Sequence, residues 1–260
     1  MKKTHINGID LYYTDIGPQD TTPILFLHGF PFDHTMWDQQ LIYFPSRVRC
    51  IAPDLRGFGQ SGYDGPRSIN DMADDMLALL DAIGVKGATV CGLSMGGYIA
   101  LAMWRKAPQK FAKLVLADTK APGDTPEGRA ARLELAKKVL DGGSSVQADA
   151  NMPKLFAEKN AKSAAAGKIR RLIESQTPKS IAATLQALAD RADSTPTLAT
   201  INAPTLVLVG QQDALTPVSD AAFMRDRIKG SQMMIIHDAG HMSPMENYPE
   251  FNAALEEFLG

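Results

Sequence analysis

The stretch VCGLSMGG, residues 90–97, runs from an apolar segment directly into glycine. Its one serine, Ser94, lies two positions after Gly92 and two before Gly96. The pattern G-x-S-x-G also arises by chance, so the flanking sequence has to decide what it means. Here an apolar run typical of a strand ends at the motif, and a helical pattern begins at Met95. This strand–turn–helix arrangement predicts a nucleophile elbow, in which a strained turn exposes the serine hydroxyl and leaves space only for small neighbours.

Outward from this motif, short apolar runs alternate with helical patterns. An Asn7–Gly8 pair between two short runs predicts a hairpin at the start of the chain. The later runs are continuously apolar, which is typical of parallel strands that helices cover on both faces. Together they predict an α/β fold with a parallel sheet. The six runs after the hairpin are PILFLHG (23–29), VRCIAPDL (48–55), ATVCGLS (88–94), KLVLADT (113–119), TLVLVG (205–210) and QMMIIHDAG (232–240).

Three helical patterns separate or follow these runs, at residues 68–84, 95–108 and 249–259. The first of them has apolar residues at helical spacing. Ser68 is expected to be its N-cap, and Gly84 is expected to end it.

Residues 119–195 interrupt the alternation of strands and helices. This segment is rich in alanine and contains no convincing strand, so we expect about four helices, inserted as a lid over a core of residues 1–118 and 196–260. It carries 13 Lys and Arg against 9 Asp and Glu, a net charge of +4, whereas the rest of the chain has a net charge of −6. The excess of positive charge indicates either solvated helix faces or a lid that attracts an anionic substrate.

Composition excludes several other classes of protein. The net charge of −2 gives no basic footprint for nucleic acid, and no apolar run is long enough to span a membrane. The first residues, MKKTHINGIDLYY, do not resemble a signal peptide. Cys50 and Cys91 lie in apolar runs, which predicts buried thiols in a reducing compartment. We therefore expect a cytoplasmic protein with a small-molecule partner and with no nucleic-acid or membrane partner.

A serine hydroxyl needs a base to become a nucleophile. We expect His241, in DAGHMSPMENYPE, to be that base, because it follows the last strand at the carboxyl edge of the sheet, where ligands bind in open α/β folds. Asp213 follows the strand at 205–209 at the same edge and is expected to orient the imidazole. Asp118, which also follows a strand, stays open as the alternative acid. The remaining histidines are interpreted as structural or incidental: His5, His28, His34 and His237.

Acyl transfer also needs hydrogen-bond donors for the oxyanion. One is expected to be the backbone N–H of Met95, directly after the serine. The other is expected from HGFPFDHTMW, the loop after the strand at 23–28, where the N–H of Phe30 is the best candidate because Pro31 has none. Two distant thiols and scattered histidines make no metal cluster, so the sequence predicts neither a metal nor a cofactor.

The chain resembles proteins of the α/β-hydrolase fold along nearly its whole length. The motifs that carry this resemblance are HGFPFDHTMW, APDLRGFGQS, GLSMGGYIALA, APTLVLVGQQDALTP and DAGHMSPMENYPEFN. The chain is most similar to the esterase and lactonase branch that includes 3-oxoadipate enol-lactonases and cofactor-free haloperoxidase/perhydrolase-like esterases.

The resemblance implies an α/β-hydrolase fold, a mostly parallel eight-stranded sheet with helices on both faces and an inserted helical lid. It also implies the same roles for the site residues as above: Ser94 nucleophile, Asp213 acid and His241 base, with Phe30 and Met95 as oxyanion donors. Their order in the chain, Ser, Asp, His, is that of this fold. Asp54 and Arg56, in DLRGFGQS, are implied to be framework residues.

The expected activity is hydrolysis of a carboxylic ester or lactone through an acyl-enzyme on Ser94. Dehalogenases and epoxide hydrolases of this fold have aspartate at the elbow, so the serine excludes them. Perhydrolase activity stays open, because Pro31 follows the oxyanion residue as in the haloperoxidase-like relatives. Carbon–carbon bond hydrolysis is a further alternative. The last is a ligand-binding protein with vestigial catalysis.

Overall fold

A computed structural model describes residues 1–63, 65 and 68–260. The strands are β1 Lys2–Ile6, β2 Ile9–Ile16, β3 Ile24–Leu27, β4 Cys50–Pro53, β5 Ala88–Leu93, β6 Phe111–Ala117, β7 Thr205–Gly210 and β8 Gln232–Ile236. Across the described residues they form one eight-stranded sheet in the order β1-β2-β4-β3-β5-β6-β7-β8. Strands β1 and β2 pair antiparallel, and β3 to β8 are parallel. The predicted mostly parallel sheet is confirmed.

The helices alternate with the strands as the sequence predicts. Their bounds are α1 Asp38–Tyr43, α2 Ile69–Ala82, α3 Met95–Lys106, α4 Pro126–Gly142, α5 Ser144–Leu155, α6 Ala164–Ser175, α7 Pro178–Ala189, α8 Thr195–Leu198, α9 Val218–Arg225, α10 Ser243–Glu246 and α11 Tyr248–Leu259. Ser68 caps α2 in a capping box with Asp71, and Gly84 takes φ +72° just after the helix. Both predicted ends of this helix are confirmed.

The core lies in two layers, one on each face of the sheet. Leu25 and Leu27 of β3 belong to one apolar cluster, and Ile24 and Phe26 belong to the other. Because successive side chains of a strand point to opposite faces, the two clusters lie on opposite sides of the sheet. Helices α2 and α3 contribute to the first cluster, and α11 contributes to the second. This double cover explains why β3 is continuously apolar.

Residues 119–195, all of which the structure describes, contain helices α4 to α7 and no strand. Helix α4 packs against α7, and α5 packs against α6. The segment leaves the sheet at the carboxyl end of β6 and returns to it at β7. It therefore begins at the edge where the predicted site residues lie, although its role as a lid stays a prediction.

Both cysteines lie in central strands, Cys50 in β4 and Cys91 in β5, and both are buried and free of disulfides, as predicted. Burial raises the pKa of the Cys50 thiol to about 12, so the thiol is unreactive at neutral pH. In the part of the chain that the structure describes, no helix has the length and hydropathy to cross a membrane.

A buried ion pair ties the loop after β4 to α2 and to the N-terminal hairpin. The Arg56 guanidinium donates to both carboxylate oxygens of Asp75, at 2.7 and 2.8 Å, and to the Asn7 carbonyl at 3.2 Å. The Asn7 side chain also donates to Asp75 at 2.9 Å. Only 2% and 1% of the Arg56 and Asp75 side chains are exposed. Arg56 is thus a framework residue, as the resemblance implies.

Replacing one member of this pair is expected to destabilise the fold strongly. Asp75→Asn would remove the buried carboxylate that accepts two hydrogen bonds from the Arg56 guanidinium, and we expect it to lower the free energy of unfolding by about 3–5 kcal/mol. The matched control is Asp74→Asn, which breaks the exposed pair of Asp74 and Lys106 and should cost less than about 1 kcal/mol. Urea unfolding followed by circular dichroism measures both. Equal losses in the two variants would contradict the framework role.

Candidate active site

Ser94 lies in a strained turn between β5 and α3. Its backbone angles are φ +53° and ψ −114°, in a region that residues other than glycine rarely occupy. The end of β6 holds the turn in place: the Ser94 N–H donates to the Ala117 carbonyl at 2.9 Å. The Thr119 hydroxyl donates to the Ser94 carbonyl at 2.7 Å. The serine is therefore fixed at the carboxyl edge of the sheet, as the elbow motif predicts.

Glycine is required on both sides of this turn because backbone segments approach closely there. A Cβ at Gly92 would lie 2.3 Å from the Gly96 carbonyl oxygen. A Cβ at Gly96 would lie 2.2 Å from the Leu27 carbonyl oxygen of β3. Both distances are far below van der Waals contact, and the atoms met are backbone atoms that cannot rotate away. The glycines of the motif thus let α3 start directly against the sheet.

His241 and Asp213 are hydrogen-bonded to each other at the same edge. His241 lies between β8 and α10, and its Nδ1 is 2.8 Å from Oδ2 of Asp213, which follows β7. Since a carboxylate only accepts, we assign the proton to Nδ1, and Nε2 is then free to accept a proton from a substrate or from a hydroxyl. Both side chains are buried. His241 and Ser94 line the same cavity, of about 110 Å³.

Several donors hold the Asp213 carboxylate in place. The backbone N–H groups of Leu215 and Thr216 donate to Oδ1, at 2.8 and 3.0 Å, and the Thr216 hydroxyl donates to Oδ2 at 2.6 Å. Burial raises the pKa of Asp213, but the charge and hydrogen bond of His241 and the bonds from Thr216 outweigh it, so the pKa lies below its ordinary value. The group therefore stays ionised beside the imidazole.

Asp118, the alternative acid, is bonded to other groups. Its Oδ1 accepts the N–H of Gly210 at 2.7 Å, and its Oδ2 accepts the hydroxyl of Ser243. Burial and the nearby charge of Asp213 raise the pKa of Asp118 well above its ordinary value. Within the described residues its hydrogen bonds link β6 to β7 and to α10, and none reaches His241. The structure thus places Asp213, and not Asp118, against the imidazole.

Two backbone N–H groups are available near the serine. Phe30, in the loop after β3, and Met95, the first residue of α3, line the same cavity as Ser94. Among the hydrogen bonds of the described residues, neither of their N–H groups has an acceptor. Two free N–H groups beside a serine and a histidine can donate hydrogen bonds to a carbonyl oxygen on which negative charge develops.

The cavity is also lined by residues that the sequence motifs did not indicate. Lys120 and Arg132 line it, and so does Thr216, which bonds Asp213. A hydroxyl residue shortly after an aspartate is typical of a turn that the carboxylate stabilises, so the order Asp213, Ala214, Leu215, Thr216 was the available signal for this threonine. The two cations had no comparable local signal.

His28 has a structural role in a loop, as expected. Its Nε2 accepts the Leu55 N–H at 2.9 Å, and its Nδ1 donates to the Gly29 carbonyl at 2.8 Å. Burial lowers the pKa of this imidazole, and both nitrogens are in use. His28 therefore fixes the loop that carries Phe30.

His34 has a structural partner and, like His28, contributes to the framework. Its Nδ1 lies 2.6 Å from Asp54 Oδ1, which also accepts the His34 backbone N–H. Asp33, His34 and Asp54 are close enough together to share a metal ion, the one such group within the described residues. However, Asp54 also accepts the Gln60 N–H, and Asp33 accepts two bonds from Thr35. Both carboxylates thus already accept hydrogen bonds from the protein, and we assign this group to the framework.

The chain matches a known family and known proteins along most of its length. The sequence model of the family described as "alpha/beta hydrolase fold" matches residues 22–248. The chain is 30% identical to 3-oxoadipate enol-lactonase 2 of Acinetobacter baylyi over 96% of its own length and 93% of the relative's. It is 30% identical to a non-heme chloroperoxidase of Burkholderia pyrrocinia over 83% of each chain. A thermophilic esterase of Thermogutta terrifontis, whose structure has malate bound, is 39% identical, with a TM-score of 0.94 over 99% of this chain and 96% of that one.

Adding a methyl group at the elbow is expected to damage the fold. Gly96→Ala places a Cβ against the Leu27 carbonyl, so we expect a loss of about 3 kcal/mol in the free energy of unfolding, the upper end of the range for an overpacked site. Gly87→Ala is the matched control, because the nearest atom to its Cβ would be 3.8 Å away, an ordinary contact. It should change stability by less than about 0.5 kcal/mol. Chemical denaturation checks both values, and a Gly96→Ala protein as stable as the control would refute this account of the turn.

Proposed function

The chain belongs to the α/β-hydrolase fold family, and from that premise we propose that it is a serine hydrolase that cleaves carboxylic ester or lactone bonds through an acyl-enzyme on Ser94. One observation carries the proposal. A single cavity is lined by a strained serine, by a histidine whose Nδ1 is bonded to a buried aspartate, and by two residues whose N–H groups are free. Nucleophile, base, orienting acid and oxyanion donors are the parts that acyl transfer requires.

In the first half-reaction, Nε2 of His241 accepts the proton of the Ser94 hydroxyl as Oγ bonds to the carbonyl carbon of the substrate. The N–H groups of Phe30 and Met95 donate to the oxyanion of the tetrahedral intermediate. Its collapse breaks the bond to the alkoxide oxygen, which takes the proton from His241. A simple ester releases an alcohol at this step, whereas the alcohol of a lactone stays attached to the acyl group.

In the second half-reaction, water attacks the acyl-enzyme. His241 accepts a proton from the water, and the same two N–H groups stabilise the second oxyanion. The proton then returns to Ser94 Oγ as the acid leaves. The ionised Asp213 carboxylate stabilises the imidazolium that forms in each half-reaction, which is consistent with its lowered pKa. The N-terminus of α3 adds the positive end of the helix dipole near the oxyanion.

Helices α4 to α7 are proposed to form a lid that shapes the acyl pocket. Three of them contribute to the cavity wall: Arg132 comes from α4, Leu155 from α5 and Leu188 from α7. The cavity of about 110 Å³ is smaller than the roughly 300 Å³ at the lower end for drug-sized ligands. We therefore favour a short acyl group. The names of the relatives, an esterase and an enol-lactonase, are in line with this substrate class.

A second candidate activity uses the same acyl-enzyme. If hydrogen peroxide replaced water in the second half-reaction, its oxygen would bond to the acyl carbon and the product would be a peracid. The similarity to a non-heme chloroperoxidase over 83% of the chain favours testing for it, as does Pro31 directly after Phe30. Peracid formation by wild type measured beside hydrolysis would reveal this activity.

The nucleophile is tested by removing its hydroxyl. Ser94→Ala should lower kcat on p-nitrophenyl acetate and p-nitrophenyl butyrate by more than about 10⁴-fold, because no other group of the site can form the acyl-enzyme. Ser145→Ala, at an exposed position on α5, is the control and should keep the wild-type rate. Phenylmethylsulfonyl fluoride should add one sulfonyl group to wild type and none to Ser94→Ala, as seen by intact mass. Wild-type turnover no faster than that of Ser94→Ala would disprove the esterase proposal.

The acid is tested by two matched amide substitutions. Asp213→Asn replaces the carboxylate that accepts the Nδ1 proton and should lower kcat about 10⁴-fold. Asp118→Asn changes a carboxyl group bonded to Gly210 and Ser243, so it should affect stability more than kcat, which we expect within about 10-fold of wild type. Rates are compared per folded protein, determined by circular dichroism. The opposite ranking of the two variants would assign the acid to Asp118.

A further inference from the structure

We propose that Lys120 and Arg132 form a carboxylate-binding subsite in the catalytic cavity, and that the substrate is a small ester or lactone that carries a carboxylate. The inference rests on the proposed function, which it deepens by naming the class of substrate. Both side chains line the cavity of about 110 Å³ that also contains Ser94 and His241. Among the described residues that line this cavity there is no aspartate or glutamate.

Arg132 is held in place from behind. Its Nε donates to Oδ2 of Asp124 at 2.5 Å, and the other oxygen of Asp124 accepts from Arg191 at 2.6 Å. Burial raises the pKa of Asp124, but the two arginines outweigh it and hold the pKa below its ordinary value. Arg191 is itself fixed by stacking on the Tyr98 ring, 4.4 Å from its centroid. Because one carboxylate is shared by two guanidinium groups, the cluster keeps a net positive charge.

The outer nitrogens of Arg132 remain for a ligand. In the hydrogen bonds of the described residues only Nε of this side chain is used, and its two terminal nitrogens have no acceptor. A guanidinium whose inner nitrogen is anchored and whose outer nitrogens are free is suited to bind a carboxylate through charge-assisted bonds. The orientation is fixed before the ligand binds, which reduces the entropy cost of binding.

Lys120 supplies a second cation without a bonded partner. It lies three residues beyond the end of β6, beside the edge where Ser94 is fixed. Within the described residues its ammonium forms no hydrogen bond and no ion pair, and it acts on Asp220 of α9 only through space. A half-buried ammonium that no carboxylate pairs directly favours an anionic ligand, because burial weakens its hydration.

Asn151 of α5 adds a neutral polar group to the same wall. It lines the cavity, and among the described residues its amide has no hydrogen-bond partner. The small volume keeps a bound carboxylate within a few bonds of the carbonyl that Ser94 attacks. Binding the carboxylate would therefore hold the carbonyl in place for attack, so that binding energy remote from the reacting bond contributes to the rate.

A pair of esters with the same acyl length tests the subsite. Monomethyl glutarate and methyl pentanoate have five-carbon acyl chains that differ in the terminal carboxylate. For wild type we expect kcat/KM to be at least about 10-fold higher for monomethyl glutarate, measured by methanol release against Ser94→Ala as the blank. The double variant Lys120→Met/Arg132→Gln should reduce this ratio at least 10-fold, since each charged bond supplies roughly that factor.

The control is Lys137→Met, which removes an exposed charge of α4 outside the cavity. It should leave the ratio unchanged. Because the ratio is taken within each variant, a general loss of folded protein cancels. If wild type hydrolyses both esters equally fast, in a manner that depends on Ser94, the subsite is disproved while the hydrolase proposal stands.

Binding of glutarate to an inactive variant tests the subsite independently of hydrolysis. Glutarate is titrated into Ser94→Ala by isothermal titration calorimetry, with Lys120→Met/Arg132→Gln in the same background as the comparison. We expect saturable binding to Ser94→Ala, and binding at least 10-fold weaker to the triple variant Ser94→Ala/Lys120→Met/Arg132→Gln. This result would support the subsite even if no ester were hydrolysed. Absence of glutarate binding, or equal binding by both proteins, would overturn the subsite.

Discussion

The close approach of α3 to the sheet at Gly96 is the constraint on which the rest of the site depends. Only a backbone without a Cβ fits against the Leu27 carbonyl, and this contact sets where α3 can begin. The chain then has to turn within one residue, and Ser94 takes the strained conformation that results. The same turn leaves the Met95 N–H without an acceptor. One steric fact thus positions both the hydroxyl and one of the free N–H donors.

Two buried carboxyl groups, Asp118 and Asp213, lie near each other at the carboxyl edge of the sheet, and their pKa values are shifted in opposite directions. The charge of Asp213 adds to the cost of ionising Asp118, and the two carboxyl groups are bonded to different partners. Asp213 has His241 and the donors of Thr216, so its pKa is lowered, whereas the pKa of Asp118 is raised well above its ordinary value. The opposite directions favour ionisation of the carboxyl that contacts the imidazole over that of Asp118. Asp118 instead joins β6 to β7, which keeps the two strand ends in register.

Positive charge comes to the cavity from the segment inserted between β6 and β7. The net charge of +4 on residues 119–195 left two explanations open, solvated helix faces or attraction of an anion. Arg170 is half-exposed and pairs with Asp149 and Glu174, as the first explanation requires. Lys120 and Arg132 line the cavity itself. The first explanation therefore applies to Arg170, and the second is the one we propose for Lys120 and Arg132.

The sequence by itself determined what depends on neighbours within a few positions. The hairpin at Asn7–Gly8, the cap at Ser68 and the serine turn between glycines all follow from local steric and hydrogen-bonding rules. Tertiary structure decided whatever required distant residues to meet: that Asp213 faces His241, that Asp118 is engaged elsewhere, and that two cations line the cavity. The physical reason is that a local pattern fixes a backbone conformation. The partner of a buried charge is fixed only when packing brings strand ends and inserted helices together.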